Sequence, residues 1–149
     1  MFSDKYVDEL LPDEAKVEKF DMTNEPPLNP HQKLFVNRIL KHHRSGNKKQ
    51  LRIVLSGGAG TGKSRCIKEL KSELKDQCVT VAVTAQAAYA VGGDTIAKQF
   101  MVLRFLTDNL RDKIRHKNKD VKYIIIEEYG LVGQRMLFRI CDHLRQALA

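Results

Sequence analysis

The most constraining feature of this chain is the run Gly57-Gly58-Ala59-Gly60-Thr61-Gly62-Lys63-Ser64. It sits between a β-branched segment, Leu51-Arg52-Ile53-Val54-Leu55, and a stretch with Ile67, Leu70 and Leu74 on one helical face. The run fits the pattern G-x-x-x-x-G-K-[ST], and typical glycine and lysine usage gives a chance match in only about one chain in 200 of this length. Glycines let backbone amides turn inward around phosphate oxygens, where side chains would block the approach. A helix that starts at the end of the turn aims its positive N-terminus at the same anion. In such a cradle Gly58, Ala59, Gly60, Thr61 and Gly62 surround the phosphates, Lys63 reaches the β- and γ-phosphates of ATP, and the Ser64 hydroxyl ligates Mg²⁺.

The remaining pattern alternates in the way this turn requires. Asn29 as N-cap, Pro30 at the first helical position and Gln32 at the third predict a helix start, and Ser45-Gly46-Asn47 predicts its stop. Leu51 to Leu55 reads as a buried strand leading into the turn, and Cys78 to Val83 as a second strand. Helices are expected over Ala85 to Ala90 and Thr95 to Phe105, separated by Gly92-Gly93. The basic stretch Arg111 to Asp120 reads as a solvated helix end and loop. Tyr123 to Ile126 is the most strand-like segment, and a last helix from Gly133 to Leu148 directs Met136, Leu137, Ile140, Leu144 and Leu148 inward. Near-continuous apolar strands alternating with helices predict an α/β fold with a parallel sheet covered on both faces.

Composition narrows the setting. The 149 residues suffice for one domain, and 42% apolar with 30% charged residues excludes a disordered or membrane-embedded chain. No apolar run approaches the ~18–20 residues that span a bilayer, and Met1 to Leu10 lacks the basic and apolar regions of a secretion signal. Cys66, Cys78 and Cys141 share no metal-ligand spacing and fit reduced thiols inside a cell. The net charge of +8 is unevenly divided: residues 1–27 carry eight acids and three bases, leaving +13 on residues 28–149. The first part reads as an acidic arm ending at Pro26-Pro27. The basic body suits a polyanionic partner.

Hydrolysis needs a carboxylate site beside the phosphates, and Tyr123-Ile124-Ile125-Ile126-Glu127-Glu128 supplies an apolar strand ending in two acids. Successive strand residues face opposite sides, so both acids serve one site only where the strand is already ending.

Together "LNPHQKLFVNRIL", "GGAGTGKS" and "YIIIEEYGLVGQRML" resemble the first motor domain of superfamily 1 DNA helicases of the petite-integration-frequency type, over residues 28–149. The resemblance implies a RecA-like P-loop domain using ATP and Mg²⁺, in a nuclear or mitochondrial enzyme that moves 5′-to-3′ on single-stranded DNA. It also implies that Gln32 recognises adenine, that Glu127 helps hold the metal, and that Glu128 orients and deprotonates water. Thr84 and Thr95 fall where the family contacts the DNA strand, with Gly93 and Ile96 nearby.

Three departures stand out. The family has Asp where this chain has Glu127, and the extra methylene disturbs the octahedral geometry Mg²⁺ demands. Three residues are missing after Thr84-Ala85, and Ala97 replaces a histidine. The residues cover one motor domain, whereas the family binds ATP between two; an arginine supplied by a second domain is worth roughly 10³–10⁵ in rate. The expectation is therefore a chain that binds nucleotide without unwinding on its own. A degenerate remnant that binds nucleotide or nucleic acid without turnover is the alternative.

Overall fold

The computed structural model describes residues 26–46 and 49–149. The acidic arm lies outside the described residues except for its final Pro26-Pro27. Helix α1 (Pro30–Arg44) begins as the sequence predicts. The Asn29 side chain accepts from the Gln32 amide and the Gln32 side chain accepts from the Asn29 amide, both at 2.9 Å. This reciprocal pair satisfies two amides that the helix itself cannot. Helix α2 (Lys63–Leu74) leaves the glycine-rich turn. It is followed by β1 (Cys78–Ala82), α3 (Ala85–Ala90), β2 (Asp94–Thr95), α4 (Ile96–Phe100), α5 (Asp108–Asn118), β3 (Tyr123–Glu127) and α6 (Gln134–Leu148).

The strands form a parallel sheet in the order β2-β1-β3, with Cys78 opposite Tyr123 and Ala82 opposite Glu127. Side-chain alternation divides the core between the two faces of this sheet. On one face Cys78, Tyr123 and Ile125 pack against Val36, Ile39 and Leu40 of α1 and Cys66, Leu70 and Leu74 of α2. On the other, Val79, Val81 and Ile126 meet Ile96 and Phe100 of α4 and Ile140 of α6. Helices thus cover both faces, as expected for a P-loop NTPase-like α/β fold.

Four expectations need correction. Leu51 to Leu55 forms no ladder among the described residues. Only Leu51 and Leu55 reach the α1–α2 core, while Ile53 and Val54 stay exposed, so the run is covered on one side where a central strand would be covered on both. The helix predicted over Thr95 to Phe105 ends at Phe100, because Met101 takes the left-handed conformation (φ +51°) that closes α4. Thr95 itself belongs to β2. The stretch read as a solvated helix end and loop is mostly α5, whose Leu110, Ile114 and Asn118 are buried; the charges between them masked a buried stripe of two apolar residues and one asparagine. Along α6 the buried set is Ile140, His143 and Ala147, and Leu148 is exposed, since a 3.6-residue period moves position 148 off the buried stripe.

Candidate functional site

Backbone conformation builds the glycine-rich turn. Gly60 (φ +74°) and Gly62 (φ +81°) occupy the left-handed region that side chains disfavour. Thr61 Oγ1 donates to the Gly58 carbonyl at 2.9 Å, and a Cβ on Gly57 would stand 2.7 Å from that hydroxyl oxygen. Residues 56–61 are exposed, so the turn is an open cradle rather than an enclosed pocket. Two cavities, of about 510 and 330 Å³, lie elsewhere on the described surface.

Lys63 points into this turn. Its Nζ donates to the carbonyls of Gly57 at 2.7 Å and Gly58 at 2.8 Å. These bonds close the turn on its own lysine. A phosphate oxygen carries the negative charge that a carbonyl lacks, so its attraction for the ammonium lets phosphate compete favourably with either carbonyl.

The start of α2 is equally prepared for an anion. Asn29, Thr84, Thr95 and Thr107 cap α1, α3, α4 and α5 with side-chain oxygens. At α2 the N-cap is Gly62, which has no side chain to offer, and the first turn holds no acidic residue. Its leading amides and the positive end of the helix dipole are left for a ligand. Ser64 is exposed on that first turn.

Gln32 ties α1 to the same place. Beyond its capping bond, its Nε2 donates to the Thr61 carbonyl at 3.1 Å, and a Cβ on Gly62 would run into this amide. The sequence showed the capping box; the tether to Thr61, 29 positions away, had no sequence signal.

The acidic pair stands at the end of β3. Glu127 is the last strand residue and, by alternation from Tyr123 and Ile125, belongs to the sheet face covered by α1 and α2. Glu128 then adopts φ +53° and ψ +42°, a left-handed conformation that costs a non-glycine residue roughly 1–2 kcal/mol. The alternation is broken there, which is the condition under which both acids can serve one site. Neither carboxylate has a hydrogen-bond or ion-pair partner among the described residues.

These donors fit a magnesium nucleotide: free amides and a lysine for phosphates, and an exposed hydroxyl plus unpaired carboxylates for a hard cation that keeps several waters. No cluster of three or more His, Cys, Asp or Glu exists among the described residues to hold a metal without phosphate.

Thr84 and Thr95 act as caps: their Oγ1 atoms accept from Ala87 and Lys98 amides, each at 3.2 Å. Gly93 is a packing residue, because a Cβ there would strike the Thr80 carbonyl, and Ile96 is fully buried. Beside them lies a cationic tether that the sequence did not signal. Lys71 Nζ donates to the carbonyls of Val91 at 2.8 Å and Gly92 at 2.6 Å, holding the link between α3 and β2.

A family profile described as an AAA domain matches residues 27–149. No curated protein and no solved structure shows significant similarity to the chain.

Proposed function

The chain belongs to the AAA domain family as a helicase-like motor domain of superfamily 1 type, and on that premise we propose that it is the ATP-binding half of a 5′-to-3′ DNA helicase of the petite-integration-frequency type. The observation that carries this reading is the uncapped start of α2 behind a glycine turn with Lys63 folded into it. Gln32 faces the adenine base. The turn amides and Lys63 hold the triphosphate, and Ser64 with Glu127 holds Mg²⁺, which supplies charge neutralisation at the phosphates when bound. Glu128 orients and deprotonates the attacking water. The hydroxyls of Thr84 and Thr95 accept their cap bonds and each keeps an O–H to donate to a DNA phosphate.

Glutamate at position 127 supports a second reading, a domain that holds nucleotide with little turnover, because the longer side chain displaces the carboxylate from where an aspartate would hold the metal. Both readings require nucleotide binding. Titration of the full chain with a fluorescent ATP analogue and Mg²⁺ should show saturable binding that is lost in Lys63→Ala. Unchanged affinity in that variant refutes the site. The second reading is separated by adding a cognate second domain to the unaltered chain and to Glu127→Asp: DNA-stimulated hydrolysis with Glu127 in place supports the motor, and hydrolysis that appears only in Glu127→Asp supports the low-turnover reading.

A further inference from the structure

We propose that the groove between the α4–α5 connection and α6 is the docking site of this chain's own acidic arm, through residues 6–14. The apolar side chains of that segment cover Phe105 and Phe138, and its carboxylates pair with Arg104 and Arg135. The groove encloses about 510 Å³ and is lined by all four of these residues. The proposal goes beyond nucleotide binding and does not depend on it.

One wall is α6, which buries Ile140, His143 and Ala147 and turns Arg135, Phe138, Arg139 and Asp142 to the groove. A solvated helix stripe is ordinarily polar throughout, yet Phe138 is 65% exposed. The other wall is the connection that the left-handed Met101 redirects: Val102 is buried, and beyond it Phe105 is 94% exposed beside Arg104. Arg139 Nη1 ties the walls together by donating to the Val102 carbonyl at 2.8 Å. Three arginines thus face one carboxylate, and Asp142 is already held by Arg145 at 3.1 Å and by the Gln146 amide at 2.9 Å. Arg104 and Arg135 have no side-chain partner among the described residues. The groove therefore suits an occupant that is acidic and apolar at once.

The arm has that composition. Tyr6-Val7, Asp8-Glu9, Leu10-Leu11, Pro12 and Asp13-Glu14 alternate apolar and acidic pairs, with four acids and no base. Residues 15–25 carry Lys16 and Lys19 among their acids and are the poorer match. With +13 on residues 28–149, the body complements the acidic segment. Geometry allows the contact. The arm joins the body just before α1, and Gln32 in the first turn of α1 bonds Thr61, at the head of α2. Helix α2 runs back to the start of β1, so its head and the start of α1 lie toward the carboxyl end of the strands. Helix α6 begins at that end too, shortly after β3. Residues 15–25 bridge at most about 40 Å, against a width of about 35 Å for a compact domain of this size. A tether of this length holds its ligand at an effective concentration on the order of millimolar, so contacts of modest strength suffice.

The test uses the full chain with Phe138→p-benzoylphenylalanine, which keeps an aromatic ring at an exposed site, and identifies the photocrosslink by peptide mass. Irradiation should join position 138 to residues 6–14 of the same chain. Arg104→Glu with Arg135→Glu should cut that product roughly 5- to 30-fold, through the loss of two exposed ion pairs. Adding Asp8→Lys and Glu9→Lys to this reversed pair should restore it, which a groove damaged by the substitutions would not allow. The control pair Lys113→Glu and Lys119→Glu makes the same charge change at exposed positions of α5 and its C-cap and should leave the product unchanged. Absence of the product, or a crosslink to another part of the chain, overturns the proposal. A crosslink between two chains on a denaturing gel, or to copurifying nucleic acid, overturns it by seating a different occupant. So does a control pair that costs as much as the arginine pair, because net charge alone would then account for the attraction. Lys63→Ala should keep the crosslink, so failure of the ATP site leaves a distinct signature.

Discussion

Glu128 offers the sharpest test of whether the acidic strand end is a working site or a solvated terminus. A side chain at φ +53° costs roughly 1–2 kcal/mol relative to glycine. Glu128→Gly removes that strain but gives the unfolded chain more freedom, which takes back about 0.4–1 kcal/mol. The carboxylate has no partner to lose among the described residues. The net expectation is a gain of about 0.5–1 kcal/mol, or about 1–4 °C in melting temperature for a domain of this size. Glu128→Gln keeps the strained backbone and removes only the charge, so its melting temperature should stay within about 1 °C of wild type. Differential scanning fluorimetry on the three proteins, with and without Mg²⁺-ATP, provides the assay. Both variants should still be stabilised by nucleotide, because Glu128 acts on water and not on the phosphates. A Glu128→Gly variant less stable than wild type would refute the strain argument. A Glu128→Gln variant stabilised as much as the glycine variant would show that charge repulsion, and not backbone conformation, was the cost.

Gln32→Ala removes the return bond of the capping box and the tether to Thr61, two exposed hydrogen bonds worth about 1 kcal/mol together. ATP affinity should fall while GTP affinity holds; equal losses in a titration would reduce Gln32 to a tether. Burial works against ionisation of Asp94, but hydrogen bonds from Lys98 and Lys117, both at 3.0 Å, outweigh it and hold the carboxyl below its ordinary value. Its contribution is therefore present above the unfolded value of about 3.9 and is lost as pH falls through the lower folded value. Asp94→Asn should flatten that acid limb in a plot of melting temperature against pH, and an unchanged limb would place the acid sensitivity elsewhere. Burial also pushes the Cys78 thiol up to about 11 against the pull of Lys71, and Cys66 is buried, whereas Cys141 is exposed. Iodoacetamide at about pH 8 should modify Cys141 first, read by peptide mass; early labelling of Cys78 would contradict its burial.

Local chemistry was legible where a signal lay within a few residues. Asn29, Pro30 and Gln32 lie within one turn and specify the start of α1 completely. The apolar run before Glu127 specified β3, and its break at Glu128 followed from the need for two acids at one place. Leu51 to Leu55 misled because apolar content reports burial and not strand pairing: Leu51 and Leu55 pack against the α1–α2 core, yet the run joins no ladder among the described residues. Met101 misled for the opposite reason. Methionine is a good helix former, and nothing local marks it for a left-handed turn. That turn is set by Val102, which is fully buried and whose carbonyl accepts from Arg139 in α6, 37 positions away.

The capping pattern shows how stability and function are divided along the chain. A side-chain cap is worth about 1 kcal/mol, and α1, α3, α4 and α5 each have one. Helices α2 and α6 lack one, and Glu128 carries backbone strain at the end of β3, as Lys75 and Met101 do elsewhere. The uncapped α2 and the strained Glu128 lie on the elements that the P-loop and acidic-strand motifs single out. Phosphate at α2 restores the missing cap with stronger, charge-assisted bonds, so ligand should stabilise this domain by more than its contact area suggests. Placing a cap there tests that link. Gly62→Asp would offer α2 its own acceptor, but the position holds φ +81° and adjoins the Gln32 amide. Gly62→Asn tolerates the left-handed region better and supplies an acceptor without full charge. Its Cβ must still displace the Gln32 amide from Thr61, so it should lower the melting temperature in the absence of nucleotide and abolish the further rise that nucleotide produces. A variant that melts like wild type under both conditions would show that the start of α2 does not receive the phosphates.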